Sequence, residues 1–331
     1  MTNFWKTLAK PIMALAPMAD VTDPAFRIII AKYGKPDVMW TEFVSADGLF
    51  RGGREALIGD LAFTEGERPI AAQFFTSSPV MMEQAARLAL ELGFDGVDIN
   101  MGCPDKGVEK QGAGAALIKN PARAREVLRA AKRGTGGHIP VSVKTRIGYS
   151  RNEIETWLPL LLEEEPAAIT IHARTRKEKS DVPAHWDVIK RAVLIRDHSR
   201  SPTLILGNGD VVDLADARAK ALETGADGIM LGRAIFGNPW LWSGRPFYSI
   251  SLEEKLRVLV EHTKLFEQLL GARKNFAIMK KHYKAYVQGF DGAKELRLRL
   301  MEAKDVLEVE HVVEAYLGGE VRVRELLQKV A

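Results

Sequence analysis

The chain contains a single cysteine, Cys103, in the segment Asn100-Met-Gly-Cys-Pro104. A thiol with its ordinary pKa is mostly protonated at neutral pH, so it can serve as a proton donor. The glycine and the proline indicate a shaped loop rather than a helix or a strand. An isolated cysteine is more often a small buried apolar side chain, and that is the alternative interpretation. Because this loop directly follows a predicted strand, we favour a chemical role for Cys103.

Two glycine-containing segments have the composition of a phosphate-binding site. Asn208-Gly209-Asp210 and Gly232-Arg233 each follow a run of apolar residues. Glycine lets backbone N–H groups approach an anion closely, and an arginine can bind two phosphate oxygens. In a barrel of eight strands, the loops after the last two strands commonly form the phosphate site. Together the two segments predict a phosphorylated cofactor.

Residues that suit a large ligand rich in nitrogen and oxygen end nearly every predicted strand. Gln73 can donate and accept hydrogen bonds at once, as the pyrimidine edge of a flavin requires. Lys144 is either a salt-bridge partner or a cation that stabilises a reduced flavin. Met18 either lies against the flavin ring or is part of the core. The strand ends carry Pro17, Met18, Glu42, Gln73, Asn100, Lys144, His172, Asn208, Gly232 and Arg233.

Short apolar runs that alternate with helical patterns position these residues. Helical periodicity is clear in Val80–Leu92 and Leu214–Leu222. Such an alternation predicts a parallel sheet covered by helices, and we expect a (β/α)₈ TIM barrel, with an open doubly wound sheet as the alternative. The runs are Ile12–Ala16, Val38–Trp40, Ile70–Ala72, Val97–Ile99, Val141–Val143, Ile169–Ile171, Leu204–Leu206 and Ile229–Leu231.

The remainder of the chain has a different pattern, which predicts a C-terminal all-helical domain with a final helix from Val323. We expect a catalytic barrel over residues 1–243 and a helical domain over 244–331. A basic segment within the helical domain is either a solvated helix face or a phosphate-binding face. Its cations are Arg273, Lys274, Lys280, Lys281, Lys284, Lys294, Arg297 and Arg299, interleaved with Phe276, Tyr283, Tyr286 and Phe290.

The bulk composition fits an ordinary globular enzyme. The 331 residues are 46% hydrophobic and 27% charged, with a formal net charge of +4. One cysteine excludes an intramolecular disulfide and a cysteine-based metal cluster. The sequence contains no apolar run long enough for a membrane span, and Pro11 and Pro17 bracket an apolar run that suits a buried strand better than a signal peptide. We expect a cytoplasmic protein.

In six segments the sequence resembles the tRNA-dihydrouridine synthase family. Lys280–Tyr283 and Tyr286 also resemble the tRNA-facing segment of that family. One departure is the stretch Lys179–Trp186, which keeps Ala184 and Trp186 but lacks the glycine that the family often carries. The resemblance therefore does not predict the conformation of residues 177–185. The matching segments are Leu15–Arg27, Asn100–Pro104, Val141–Arg146, Ile171–Arg176, Asn208–Asp210 and Met230–Arg233.

The resemblance implies an FMN cofactor and assigns residues to it. Asn100 and Arg146 would line the substrate side of the flavin. From the charge of the basic segment, we expect Arg273, Lys274, Lys280, Lys281 and Arg297 to contact the tRNA. No metal and no protein partner is implied. The implied FMN-binding residues are Pro17, Met18, Ala19, Gln73, Lys144, His172, Asn208, Gly209, Asp210, Gly232 and Arg233.

The implied reaction saturates the C5=C6 bond of uracil in tRNA. NADPH would reduce the flavin, a hydride would add to C6, and Cys103 would donate a proton to C5 from the opposite side of the base. The uridine would have to be extruded from its stack to reach the site. Two alternatives remain open: an FMN-barrel oxidoreductase that acts on a small molecule, and a flavin-holding RNA-binding protein with little turnover.

Overall fold

Within the part of the chain that the structure describes, nine parallel strands form one sheet. The computed structural model describes residues 3–330, with side chains from residue 3 to residue 319. All eight predicted strands are confirmed. The strands are β1 (Ile12–Leu15), β2 (Met39–Trp40), β3 (Val44–Ser45), β4 (Ile70–Phe75), β5 (Gly96–Met101), β6 (Val141–Arg146), β7 (Ala168–His172), β8 (Leu204–Asn208) and β9 (Gly228–Leu231).

The sheet closes on itself as a barrel. Strand order is β1-β9-β8-β7-β6-β5-β4-β2, and β3 is an additional short strand beside β4. The first and last members of this path meet through a parallel bridge between Ala14 and Val38, and the Leu15 N–H donates to the Val38 carbonyl at 3.2 Å. This closure confirms the predicted (β/α)₈ barrel and excludes the open doubly wound sheet.

Helices cover the barrel strands because each carries one apolar stripe. In α4, a Ser78 side chain accepts from the Met81 N–H and Pro79 begins the helix, while Met82, Ala85 and Ala89 face inward. The helices that follow barrel strands are α1 (Pro24–Tyr33), α2 (Ala46–Phe50), α3 (Arg54–Leu57), α4 (Pro79–Glu91), α5 (Lys106–Lys110), α6 (Pro121–Thr135), α7 (Ile154–Leu162), α8 (Trp186–Ser199) and α9 (Leu214–Thr224).

The chain forms two compact units. The first comprises Met1–Asp23 and Pro36–Ala234, and the second comprises Pro24–Lys35 and Ile235–Ala331. Helix α1 therefore belongs to the second unit although it follows the first barrel strand. The domain boundary between residues 243 and 244 stays a prediction.

The second unit is helical, as predicted. Its main helices are α10 (Leu252–Leu270), α11 (Met279–Tyr286), α12 (Ala293–Glu302) and α13 (Val306–Val330). The predicted start of the last helix at Val323 is wrong, because one helix already begins at Val306. No helix in the described part of the chain is both long and apolar enough to cross a bilayer.

Helix α11 shows which residues of the basic segment face outward. Tyr283 and Tyr286 are 0% and 2% exposed, so they are core residues of the helical unit. The interpretation of these tyrosines as part of an RNA-facing surface is wrong. Positions three and four apart share one helix face, which buries the aromatic residues and turns Lys281 and Lys284 to the exterior.

Candidate active site at the carboxyl end of the barrel

The register of the parallel strands brings the predicted site residues together at one rim. Neighbouring strands place these residues opposite one another, so their side chains lie side by side at the carboxyl ends of the strands. The cross-strand partners are, in order around the barrel, Gln73 and Asp98, Asn100 and Lys144, Arg146 and His172, and His172 and Asn208.

A cavity of about 260 Å³ opens at this rim. Most of the predicted cofactor residues line it, whereas Ala19 and Gln73 do not. Five further lining residues, Ala16, Arg174, Ser180, Val211 and Met230, were not predicted. The predicted residues that line the cavity are Pro17, Met18, Lys144, His172, Asn208, Gly209, Asp210, Gly232 and Arg233.

Asp210 organises the arginines of the cavity. One carboxylate oxygen accepts from Arg174 Nη2 and from the Ala184 N–H, and the other accepts from Arg233 Nη2 at 2.5 Å. The hydrogen bond from Arg174 lowers the pKa of Asp210, so the carboxylate stays ionised. Sequence reasoning assigned Asp210 to the cofactor directly, and the structure shows it aligning two cations at the cavity wall.

His172 is neutral at the cavity. Its Nε2 lies 3.2 Å from Arg174 Nη1, which can only donate, so Nε2 accepts and the proton resides on Nδ1. Burial lowers the pKa of His172, and the neighbouring cations Arg146 and Lys144 lower it further. The ring therefore presents an Nδ1–H donor throughout the neutral range.

Lys144 remains largely protonated although it is buried. Burial, followed by repulsion from Arg146, lowers its pKa to about 8. Lys144 Nζ lies 3.4 Å from Asn208 Oδ1, while Asn208 Nδ2 donates to the Met230 carbonyl at 2.8 Å. These contacts hold a cation over the ends of β6 and β8.

The rim fits the phosphate and polar edge of a flavin mononucleotide. Lys144, Arg174 and Arg233 line one cavity together with the ionised Asp210, so a dianionic phosphate would balance the three cations and the one carboxylate. A Cβ at Gly232 would make ordinary van der Waals contacts with Ala16 Cβ at 3.6 Å and Met18 Sδ at 3.7 Å, so a larger side chain there would take up space at this wall of the cavity. Gly209 has φ +129°, a conformation that other residues rarely adopt.

The Cys103 loop contributes no residue to the lining of this cavity, but Cys103 lies near enough to Lys144 for their charges to interact, and the loop is held by its own hydrogen bonds. Asn100 Oδ1 accepts from the N–H groups of Gly102 and Cys103, at 3.1 and 2.9 Å. The Cys103 side chain packs with Phe75 and Val108. Burial raises the pKa of the Cys103 thiol, so the proton stays on sulfur at neutral pH.

Arg146 also holds the Cys103 loop through a hydrogen bond. Its Nε donates to the Gly102 carbonyl at 2.8 Å, and its Nη1 donates to the carbonyls of Thr175 and Lys179 at 3.0 and 3.1 Å. Burial lowers the pKa of Arg146 to about 10. Among the described residues, Nη2 makes no hydrogen bond. One guanidinium nitrogen thus remains for a ligand.

Residues 177–185, where the sequence departs from the family, form a loop tied to the rim. Lys179 adopts φ +51°, a left-handed conformation that suits glycine better. Arg174 Nε donates to the Val182 carbonyl at 2.6 Å, and the Ala184 N–H donates to Asp210 at 2.9 Å. These tethers hold the loop over the cavity without a glycine.

Sequence reasoning missed two buried rim residues, Arg174 and Asp98. Arg174 lies two residues after His172 in a segment that the family resemblance already included. Asp98 is 1% exposed and lies two residues before Asn100 on β5, which puts both side chains on one face of the strand. That spacing is a signal that could have identified Asp98.

The basic segment of the helical unit contains exposed and half-buried cations. Arg273 and Lys281 are exposed, whereas Lys274, Lys280 and Arg297 are half-buried. Arg297 Nη1 donates to the Val287 carbonyl at 2.9 Å, so part of its guanidinium serves the fold. A contact of these residues with RNA stays a prediction.

Comparison with known proteins places the chain in a family. The family model described as "Dihydrouridine synthase" matches residues 14–318. The chain is 39% identical over 324 residues to "Probable tRNA-dihydrouridine synthase 2" of Bacillus subtilis, which covers 96% of this chain and 98% of that protein. It is 38% identical over 317 residues to "Probable tRNA-dihydrouridine synthase" of Staphylococcus epidermidis, which covers 95% and 96%.

Solved structures share the barrel at low sequence identity. Histamine dehydrogenase from Rhizobium sp. 4-9 superimposes with a TM-score of 0.53 and 14% identity, covering 78% of this chain and 49% of that chain. A 2-naphthoyl-CoA reductase complex has the same TM-score and 12% identity, covering 72% and 52%. These likenesses concern the fold, whereas the family match extends over most of the sequence. The chain belongs to the dihydrouridine synthase family.

Proposed function

We propose that this protein reduces the C5=C6 bond of uridines in tRNA to give dihydrouridine, with FMN at the barrel rim and Cys103 as the proton donor. The observation that carries the proposal is a protonated lone thiol beside a cation-lined cavity, in a chain whose relatives are named tRNA-dihydrouridine synthases. A tRNA substrate also agrees with a cytoplasmic location.

The residues at the rim would divide the cofactor between them. Arg174 and Arg233, aligned by Asp210, would bind the phosphate, together with backbone N–H groups near Gly209 and Gly232. Lys144 would lie against the pyrimidine edge as a cation. When bound, the flavin supplies the hydride, and NADPH is the proposed source of its electrons.

Cys103 would supply the proton that completes the reduction. Burial keeps its thiol protonated, and a general acid must hold its proton until the transition state. Asn100 fixes the loop by accepting hydrogen bonds from two backbone N–H groups. Arg146 Nη2, which makes no hydrogen bond among the described residues, would bind the uracil or an adjacent phosphate. Lys144 is close enough to Cys103 to favour the thiolate that proton donation leaves.

Binding of tRNA would require a surface outside the cavity. The basic segment around Lys280 and Lys281 offers cations for phosphate groups, since phosphate contacts supply most of the affinity for nucleic acid. A uridine extruded from the RNA could then enter the rim while the rest of the molecule stays outside.

The test is turnover on tRNA compared with free nucleobases. Purified protein loaded with FMN and supplied with NADPH should convert mapped uridines of undermodified tRNA to dihydrouridine, detected by mass spectrometry as a gain of two hydrogens. Free uracil and free uridine should react far more slowly. Equal or faster reduction of the free bases would favour a small-molecule oxidoreductase. A reduced flavin that tRNA never reoxidises would favour an RNA-binding protein with little turnover.

A further inference from the structure

A chain of side-chain hydrogen bonds joins the barrel interior to the Cys103 loop. Gln73 Nε2 donates to Asp98 Oδ2 at 2.6 Å, and Asn100 Nδ2 donates to Gln73 Oε1 at 3.2 Å. Asn100 Oδ1 then accepts from the N–H groups of Gly102 and Cys103. Gln73 and Asp98 are 0% and 1% exposed, so water has little access to these bonds.

The two ends of the chain fix its direction. An ionised carboxylate can only accept, and a backbone N–H can only donate, whereas an amide side chain can rotate to exchange its donor and its acceptor. Asp98 therefore turns the NH₂ group of Gln73 towards itself and leaves Oε1 facing Asn100. Asn100 must donate to this oxygen through Nδ2, so its Oδ1 faces the N–H groups of the Cys103 loop.

Asp98 is well placed to act as the anchor. Ser142 Oγ donates to the carboxylate oxygen that Gln73 does not use. Burial raises the pKa of Asp98 to about 6, while the hydrogen bonds from Ser142 and Gln73 and the charge of Lys144 oppose that rise. The carboxylate is thus ionised above neutral pH, and both of its oxygens accept hydrogen bonds.

We propose that Asp98 is a positioning residue whose carboxylate sets the orientation of Gln73 and, through Asn100, holds the Cys103 loop. This inference rests on the proposed function, because that function gives Cys103 its role towards uracil. Gln73 is fully buried and does not line the cavity, so it acts on the site through Asn100 and the Cys103 loop.

Two substitutions at Asp98 separate orientation from charge. D98N removes the charge but keeps the order of donors, since the amide oxygen of the new side chain can accept from Gln73 while its NH₂ group faces Ser142 Oγ. D98S has a shorter side chain whose oxygen does not reach as far as a carboxylate, so Gln73 Nε2 loses its acceptor and the amide is held from the Asn100 end alone. S142A is the control, because it removes a bond to Asp98 that lies outside the chain.

Alkylation of Cys103 by iodoacetamide reports on one end of the chain. Cys103 is the only cysteine of the sequence, so the uptake of label measures this residue alone. Against the wild-type rate at the same pH, we expect D98S to react about five to tenfold faster, as the loss of a buried hydrogen bond allows. D98N and S142A should stay within about twofold. Q73M, which interrupts the chain at its centre, should behave like D98S and serves if D98S does not fold.

Affinity of the apoprotein for FMN, measured by flavin fluorescence, shows whether the cavity is intact in each variant. Because Asp98 and Gln73 do not line the cavity, D98S and D98N should both retain the affinity within about threefold. A wild-type protein that fails to bind FMN would overturn the proposed function. The role of the Asp98–Gln73–Asn100 hydrogen bonds could still be tested, because the alkylation series needs neither flavin nor RNA. Wild-type alkylation rates in both D98S and Q73M, or a D98N defect as large as that of D98S, would overturn the positioning role.

Discussion

Buried polar groups are treated in opposite ways at the barrel rim and in the core of the helical unit. At the rim, Asp98, Arg146 and Arg174 each make two or more hydrogen bonds while less than a tenth exposed. In the helical unit, both ring nitrogens of His262 and of His282 are buried without a hydrogen-bond partner among the described residues. Both regions bury polar atoms, but these rim side chains are paired and the two histidines are not.

The helical unit uses its histidines as flat packing groups. The His262 ring stacks on Phe26 with centroids 4.9 Å apart and meets the His282 ring edge-on at 4.6 Å. A buried polar atom without a partner costs stability, whereas a hydrogen-bonded one gains a fixed orientation. The rim is built to orient donors and acceptors, and the helical core to exclude water.

The largest expected effect is the loss of Arg174. Arg174→Leu leaves the Val182 carbonyl unpaired and removes one of the two arginines on Asp210, and we expect a loss of about 3 kcal/mol in the free energy of unfolding. Urea unfolding measures it. The control is Arg191→Leu, which breaks a largely exposed pair with Glu155 and should cost less than about 1 kcal/mol. Equal losses in the two variants would remove the distinction between a satisfied rim and an ordinary surface.

Acid should weaken the helical unit through its two buried histidines. Burial lowers the pKa of His282 to about 3 and lowers that of His262 as well, so both rings stay neutral when folded. In the unfolded chain each ring takes up a proton below about pH 6.5, and stability is therefore lost as the pH falls. We expect a loss of about 2 kcal/mol per histidine between pH 7 and pH 5.

Comparison with His282→Phe isolates this effect from the rim. Burial raises the pKa of Asp98, so that carboxyl takes up its proton more readily when folded and favours the folded state at lower pH. The contribution of Asp98 is common to both proteins and cancels in their difference. The difference in unfolding free energy should shift in favour of His282→Phe by about 2 kcal/mol from pH 7 to pH 5, and a constant difference would contradict it.

The exposed face of α11 should contribute to RNA affinity. Replacing Lys281 and Lys284 with alanine should weaken tRNA binding about tenfold at low salt and reduce the slope of log K against log salt by about one to two, as lost phosphate contacts would. Filter binding over a salt series measures both. Lys190→Ala, an exposed lysine on the barrel helix α8, is the control and should change neither. A slope that stays the same in the double variant would exclude these lysines as phosphate contacts.

The smallest effect separates two tyrosines of one helix. Thr263 Oγ1 gives its proton to the Leu259 carbonyl and accepts from the Tyr283 hydroxyl at 3.2 Å, whereas the Tyr286 hydroxyl is buried with no partner in the described part of the chain. Tyr283→Phe should therefore cost about 1 kcal/mol in the free energy of unfolding, and Tyr286→Phe should be neutral or slightly stabilising. A larger cost for Tyr286→Phe would mean that its hydroxyl is satisfied after all.

The sequence predicted the barrel because each strand is a buried apolar run that ends in a polar residue. Strand β3 was missed because Val44–Ser45 is only two residues long and has no periodicity to read. Tyr283 and Tyr286 were placed on the wrong face because interleaving with lysines along the chain says nothing about helix faces until the 3.6-residue period is applied.

At the site, the residue types were predictable but their partners were not. Asp210 and Arg233 were both assigned to the cofactor, and the structure shows that one aligns the other. Arg146 was assigned to substrate, and two of its nitrogens hold loop carbonyls. Such pairings join residues far apart in sequence, so they cannot be predicted from a single sequence without coordinates. Asp98 is the exception, since its spacing from Asn100 already places the two on one face.

The most direct measurement is single-turnover formation of dihydrouridine by C103A and by the wild-type protein, both loaded with FMN and reduced before tRNA is added. We expect C103A to bind FMN with unchanged affinity and to reduce uridine at least about 100-fold more slowly, the effect typical of a lost general acid. A C103A rate equal to that of the wild type would contradict proton donation by Cys103.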